Sequence, residues 1–337
     1  MKNILDGGKT VTLPADDNNL PWSPGNCPLM LAPMQGLTNR ALRALFGEWA
    51  KPDVMFTEFI RVRTGSRKAI SPVDRLEAGS ISGNIPLVVQ LIGKDTESLI
   101  KTAEAAQEGG AAHLNLNLGC PFGRMNNGSA GGALLKHTKG LEQRLKSLRV
   151  CTIGSLSVKV RSGYDNPEQI FSLLPMFEDN GIDFIVIHSR TVVQKYSGLA
   201  DHDLTARVVA QTRLPVIANG DVTTVAEGRK VLAKTKAAGL MIGRGAIRDP
   251  LIFQRLRGMA PEMASRTERS MELQYYFSEL INRYQDIFQG NTQVLNKLKT
   301  ILSMLEEDQV FGAQIRKILR SNSLEKFTSL VDKLVAY

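Results

Sequence analysis

Cysteine is scarce in this chain: Cys27, Cys120 and Cys151 are the only three in 337 residues, and they lie far apart. That excludes a disulfide framework and makes a reducing cytoplasm the expected compartment. The four histidines and three cysteines show no ligand spacing, so no metal is expected. No run of eighteen apolar residues occurs, which argues against a transmembrane helix. The N-terminus lacks the charged start and apolar core of a secretory signal. There is no Walker loop, and no GxGxxG follows a first strand, so nothing points to a doubly wound dinucleotide fold.

What is present is positive charge. A formal net charge of +9 favours a polyanionic partner, most simply a nucleic acid, because neutralising phosphates releases counterions. Residues 1–27 are polar and read as a mobile arm that latches at Trp22. Eight short apolar runs follow, at 29–33, 54–58, 87–91, 113–117, 157–161, 184–188, 216–219 and 239–242. Helix-like segments lie between them at 40–49, 96–108, 141–149, 168–180, 206–212 and 225–233. Eight strand–helix units of this size predict an α/β fold, a (β/α)8 TIM barrel over 28–256. A linker near 257–269 then leads into helical stripes. They run through Leu273, Phe277, Leu280, Ile281, Tyr284 and Phe288, then Val294, Leu298, Ile301 and Leu305, and continue through Phe311, Ile315 and Leu319 to Leu324, Phe327, Val331 and Leu334. They predict a small C-terminal bundle of about four helices within 257–337.

The stretch 113–136, HLNLNLGCPFGRMNNGSAGGALLK, alternates strictly at its start. Leu114, Leu116 and Leu118 share one face, and His113, Asn115 and Asn117 share the other, which is the period of a strand. A leucine face suits packing on helices, so the amides point into the barrel, where unpaired polar groups are costly. The strand ends in Gly119-Cys120-Pro121 before a glycine-rich loop. Cys120 has two readings here, a small buried apolar residue or a group placed for chemistry.

Barrel enzymes carry function at the C-terminal ends of their strands. Those ends hold Pro33-Met34-Gln35, Gln90, Asn117 with Cys120, Lys159 with Arg161, His188-Ser189-Arg190, Asn219-Gly220-Asp221 and Gly243-Arg244. Each has a plain structural explanation, but a succession of polar, donor-rich strand ends does not. Glycine-rich turns after the seventh and eighth strands are the usual phosphate cradle of this architecture. With Gln90 and Lys159 inside the barrel, the cradle points to flavin mononucleotide (FMN), whose reduced form a nearby cation stabilises.

These residues together resemble the tRNA-dihydrouridine synthases, flavoenzymes that reduce uridine in transfer RNA. The shared pieces are APMQGLTNR at 32–40, VQLIG at 89–93, NLGCP at 117–121 and GSAGGALL at 128–135. KVRSGYD at 159–165, HSRT at 188–191, VIANGDV at 216–222 and GLMIGRGA at 239–246 complete the set. TEFIRV at 57–62 is most similar to the C-type bacterial branch, which acts on position 16 of the D-loop. The resemblance implies Pro33, Met34 and Gln35 beside the flavin ring, Gln90 and Lys159 bonded to it, and His188 near flavin and base. It implies Asn219, Gly220, Asp221, Gly243 and Arg244 at the phosphate end. Asn117 would hold the uracil, Cys120 would be the general acid, and NADPH or NADH would reload the flavin. Met125 stands where the family usually has valine, HSRT replaces the commoner HGRT, and Asn296–Lys299 differ from an arginine or histidine turn of relatives.

Hydride arriving at C6 of uracil leaves an enolate that needs donors, and C5 then needs a proton. A free thiol is mostly protonated at neutral pH and can supply it. The loop after Cys120 must admit a base taken from its stack, and glycines 128–132 would give it freedom. Arg61, Arg63, Arg67, Lys68 and Arg75 follow the second strand and read as a contact for tRNA phosphates. Arg161 and Arg190 are further substrate candidates, Lys195 and Tyr196 could add a second edge, and the bundle would supply Lys297, Lys299, Arg316, Lys317 and Arg320. Two rivals remain: an FMN-dependent barrel reductase of a small enone or pyrimidine, and a non-catalytic tRNA-binding chaperone. The first leaves the charge and the helical tail unexplained; the second leaves the intact set of chemical groups unexplained. A monomer is the simplest expectation.

Overall fold

The structure is a computed structural model, described here for residues 2–6, 9–13, 19–65, 68–80, 83–122, 130–136 and 138–334. Among these, eight parallel strands form a closed barrel. They are β1 (Leu29–Leu31), β2 (Val54–Phe56), β3 (Leu87–Ile92), β4 (His113–Leu118), β5 (Ser155–Arg161), β6 (Phe184–His188), β7 (Val216–Asn219) and β8 (Gly239–Ile242). Each pairs with the next, and β8 pairs with β1 to close the ring. The expected barrel is therefore present. β1 stops at Leu31, ahead of the 29–33 reading, because Pro33 has no N–H for a ladder.

Helices α1 (Arg40–Leu45), α2 (Pro72–Ala78), α3 (Thr96–Glu108), α4 (Leu141–Cys151), α5 (Gln169–Asp179), α6 (His202–Gln211) and α7 (Val225–Thr235) cover the barrel. The segment read as helix over 40–49 divides, with α1 passing into a π-turn at Phe46–Ala50. α2 lies in the basic segment that follows β2. Its start signal was in the sequence, since the Ser71 hydroxyl accepts from the Asp74 N–H at 3.1 Å and Pro72 opens the helix.

The two faces of β4 go where the alternation placed them. Leu114, Leu116 and Leu118 join a core with Leu99 of α3 and Leu145 of α4, while Asn115 and Asn117 are buried inside the barrel. The other half of the interior is apolar, with Met30, Val54, Phe56, Val88, Phe184, Val186, Ile217 and Met241. Leu20 and Trp22 pack on this cluster, and the Trp22 ring meets Phe184 edge-on at 4.9 Å. Phe184 is the first residue of its strand, so Trp22 latches the N-terminal end of the barrel. Trp22 is only partly buried, so Trp22→Ala should destabilise the protein by about 2 kcal/mol, below the range for a fully buried ring. Denaturant unfolding checks this; no loss of stability would show that the latch is idle. Further out, the arm is not featureless: Lys2–Asp6 pairs antiparallel with Lys9–Leu13, whose Thr10-Val11-Thr12 is rich in β-branched residues.

After β8 come α8 (Arg244–Arg248) and α9 (Ile252–Leu256), then α10 (Arg266–Ile287), α11 (Gly290–Leu302), α12 (Gly312–Leu319) and α13 (Leu324–Val331). A capping box of Ser265 and Glu268 starts α10 at Arg266, inside the segment read as linker. The stripe residues are buried, apart from Phe288 and Leu319, which are partly so. This bundle shares a core with α1 and the π-turn after it: Phe46 and Trp49 of the turn meet Tyr276 at 6.3 and 6.1 Å, and Trp49 meets Tyr275 at 5.0 Å. Buried Arg255 of α9 ties the end of the barrel to α10, with both Glu272 oxygens at 2.7 Å and Asp249 at 2.9 Å. No helix among the described residues is long and apolar enough to cross a membrane.

Candidate active site

A cleft opens at the C-terminal ends of β1, β5, β6, β7 and β8, with about 590 Å3 of free space counting its solvent side. Ala32, Pro33 and Met34 give it an apolar wall, and Lys159, His188, Asn219 and Arg244 face that wall. Gly220, Asp221 and Gly243 complete the lining on the β7–β8 side. Gln35 is not part of it; the side chain is exposed on the turn after β1. That turn is held by Met34 N–H on the Thr38 hydroxyl at 2.9 Å and Gly36 N–H on Glu58 Oε2 at 2.9 Å.

Lys159 projects from β5 across the mouth and donates to Asn219 Oδ1 at 2.8 Å, while Asn219 Nδ2 donates to the Met241 carbonyl at 2.8 Å. Burial, and then the Arg161 charge, lower the Lys159 pKa to about 7. His188 is pushed further, to about 2, by burial and by Lys159, Arg161, Arg190 and Arg244 around it. Arg190 lies 3.0 Å from His188 Nε2, and a guanidinium only donates, so Nε2 accepts and a ring proton sits on Nδ1. His188 is therefore a neutral imidazole throughout the physiological range.

Four cations crowd one small opening, and Asp221 is their nearest counterweight. Asp221 Oδ2 accepts from Arg190 and from the Ala200 N–H, each at 2.7 Å, and Arg244 lies 3.9 Å from Oδ1. Gly220 has φ +122°, and a Cβ there would lie 2.7 Å from Ala200 Cβ and 2.9 Å from the His188 ring, so glycine is required. The Gly243 carbonyl takes the Ala246 N–H of α8 at 2.9 Å, so the N–H groups of Arg244 and Gly245 are the ones without intrahelical partners. An excess of positive charge beside an apolar wall, with the N–H groups of Arg244 and Gly245 at the helix start, fits a planar cofactor that carries a phosphate.

Other predicted residues are turned to structural work. Arg161 donates from Nε to the Gly119 carbonyl at 3.0 Å and from Nη1 to the carbonyls of Thr191, at 2.9 Å, and Lys195. It thereby braces the loops after β4 and β6. Arg190 likewise binds Asp221 and the Gly198 carbonyl, at 2.7 and 2.5 Å. Tyr196 lies between two cations, with the Arg161 and Arg244 guanidiniums 5.4 and 4.8 Å from its ring centre. Its ring is half exposed at the cleft edge, 6.4 Å from exposed Phe122.

Cys120 stands at the end of β4, close enough to Lys159 and Arg161 to act on their charges. Its N–H donates to Asn117 Oδ1 at 2.9 Å, and its carbonyl accepts from Gly132 N–H at 3.1 Å. A Cβ on Gly132 would come within 2.6 Å of Val192 and 2.9 Å of the Cys120 carbonyl, so the returning loop passes only as glycine. Gly131 and Gly132 are buried and begin a 3-10 turn, Gly131–Leu135, so they pin the loop instead of loosening it. Met125 and Asn126–Gly128 lie outside the described residues, as does Arg67. Arg61, Arg63 and Lys68 line one groove with Ser71 and Asp74, while Arg75 sits on α2 with Glu108 at 3.8 Å. Glu58, read only as part of a motif, is largely buried under the bundle. Its carboxyl pKa is raised by burial, with Lys297 of α11 among the charges that act against that rise.

Comparison with known proteins agrees with this geometry. Residues 30–332 match the family described as Dihydrouridine synthase (Dus). A tRNA-dihydrouridine(16) synthase of Cupriavidus necator is 31% identical over 306 residues, covering 88% of this chain and 94% of that protein. One from Pasteurella multocida is 34% identical, covering 67% and 75%, and tRNA-dihydrouridine synthase B of Vibrio cholerae is 33% identical, covering 68% and 70%. Among solved structures, morphinone reductase in complex with tetrahydroNAD superposes with a TM-score of 0.52 at 11% identity, over 69% of this chain and 87% of that one. The old yellow enzyme homologue from Zymomonas mobilis gives 0.51 at 14%, over 70% and 90%. At such identities these two share the fold alone. The match across the barrel and the bundle places this chain in the dihydrouridine synthase family.

Proposed function

We propose that this protein reduces the uridine at position 16 of the tRNA D-loop to 5,6-dihydrouridine, using FMN reloaded by NADPH, in the cytoplasm. The observation that carries the reading is the Cys120 thiol, held at a strand end beside a buried cationic cleft. Lys159, Asn219, Arg244 and the backbone at Gly220 and Gly243 would hold the flavin, with Pro33 and Met34 against its ring. When bound and reduced, the flavin supplies hydride for C6 of uracil. Addition there places negative charge on O4 and C5, which nearby donors must meet. Lys159 supplies positive charge to this region, and Asn117 keeps a second N–H for the base. C5 then takes a proton from the side away from the flavin. His188 is not the acid, because its proton is lost far below neutral pH. In this reading Cys120, at the end of β4, delivers it.

The groove of Arg61, Arg63 and Lys68 meets the tRNA backbone in this reading. Changing Arg61 and Arg63 together to Ala should weaken tRNA binding and lower the slope of log Kd against log salt by roughly two. An unchanged slope would move the footprint elsewhere. The direct test of function maps dihydrouridine, position by position, in tRNA from cells with and without the gene. Loss at position 16 is expected. Loss at another D-loop position would replace the target, and an unchanged map would overturn the reading.

A further inference from the structure

We propose that Asn115 and Ser157 are positioning residues that set the polarity of a buried chain of carboxamides and thereby hold the turn carrying Cys120. The proposal rests on the reading of Cys120 as the proton donor. The chain crosses the barrel interior through β3, β4 and β5. Gly119 and Cys120 donate their N–H groups to Asn117 Oδ1 at 3.0 and 2.9 Å. Asn117 Nδ2 donates to Gln90 Oε1, Gln90 Nε2 to Asn115 Oδ1, and Asn115 Nδ2 to Ser157 Oγ, each at 2.8 Å. Ser157 ends the chain by donating to the Leu114 carbonyl at 3.2 Å. The strand register puts Gln90 opposite Asn115 and Asn115 opposite Ser157.

A carboxamide turned over keeps its shape but exchanges donor for acceptor. In a row of three, each is oriented by its neighbours, so the row as a whole has two polarities. Both ends select the same one. Backbone N–H groups only donate, which forces Asn117 to present oxygen to Gly119 and Cys120. The Leu114 carbonyl only accepts, which turns the Ser157 proton toward it and leaves the Ser157 oxygen to accept from Asn115. Flipping any one amide would set like atoms face to face in an interior where these side chains are at most 7% exposed. The backbone N–H of Gln90 donates to the Thr57 hydroxyl at 3.1 Å, which ties β3 to the residue that follows β2. Asn115 and Ser157 therefore decide, from below, where the Cys120 turn sits and which atoms Gln90 and Asn117 keep free.

The test compares Asn115→Ala, Ser157→Ala and Asn115→Asp with the parent protein. Buried there, the acid is protonated; its carbonyl oxygen accepts from Gln90 Nε2 and its hydroxyl donates to Ser157 Oγ, so Asn115→Asp preserves the polarity that Asn115→Ala removes. In cofactor-free protein, hydrogen exchange of the Gly119 and Cys120 amides should quicken about 10-fold in both alanine variants, with exchange in β7 and β8 unchanged. In loaded protein, reduction by NADPH should stay within about twofold, while single-turnover oxidation by tRNA slows about 10-fold through misplacement of the proton donor. Asn115→Asp should match the parent in both measurements. Parent-like exchange and parent-like tRNA oxidation in the alanine variants would overturn the proposal, as would an Asn115→Asp protein that behaves like Asn115→Ala. Should Asn115→Ala fail to fold, Ser157→Ala, which removes one oxygen, decides. If the parent makes no dihydrouridine, the functional reading fails by itself, and amide exchange still decides whether these two residues hold the turn.

Discussion

Cys120→Ala is expected to bind flavin and tRNA as the parent does and to form dihydrouridine at least about 100-fold more slowly, the lower end of what a positioned acid contributes. The substitution removes one sulfur from a partly exposed site. The bonds that shape the turn are made by backbone atoms of Cys120, to Asn117 Oδ1 and from Gly132, and alanine keeps both. Reduction of the bound cofactor by NADPH therefore stays near the parent rate, and the loss falls on the step that consumes tRNA. Rapid-mixing measurements of the two half-reactions separate them. A parent-like rate with tRNA would remove Cys120 from the chemistry and return it to the role of a small buried side chain.

The second large effect is at Lys159. Lys159→Met retains the aliphatic length but removes the cation that Asn219 holds in the mouth. On the proposed placement the reduced cofactor would lose a positive neighbour, so its reduction potential should fall and NADPH should reduce it at least about 10-fold more slowly. A potential equal to the parent's would show that Lys159 does not face the reacting ring. The same residue gives a signed pH prediction for cofactor-free protein. Its pKa is about 7 when folded, against an ordinary 10.5, so the unfolded chain holds more protons between those values. Stability contributed at this site therefore rises as pH increases from 7 toward 10.5. Below pH 7 the full penalty of a buried cation is present, on the order of a few kcal/mol. Subtracting the unfolding free energies of Lys159→Met from those of the parent across this range isolates the term. A flat difference would mean that Lys159 titrates normally.

Much of this molecule was legible in one dimension because strand and helix periods are local. The alternation in HLNLNL places leucines outward and amides inward, and the stripes of the last four helices name nearly their whole shared core. Polar residues at the strand ends marked the mouth, because a parallel barrel puts all those ends on one side. Ser71 and Pro72 announce the start of α2 inside the basic run that follows β2, where charge is the stronger signal in the sequence.

By itself, then, the amino-acid order determined the barrel, the bundle, the family motifs and the set of groups gathered at the mouth. Which of those groups are available was decided only in three dimensions. Arg161 and Arg190 look like ligand-binding cations in a motif, yet carbonyls and a carboxylate from other loops take up their donors. Gln90 and Asn117 look like free amides, yet they bond to each other across strands separated by a whole helix. His188 is kept neutral and the Lys159 pKa is brought to about 7, because desolvation and the charges of distant residues add up at one point in space. Hydrogen-bond partners and electrostatic fields depend on distances that sequence separation does not encode, so those assignments belong to the tertiary structure alone.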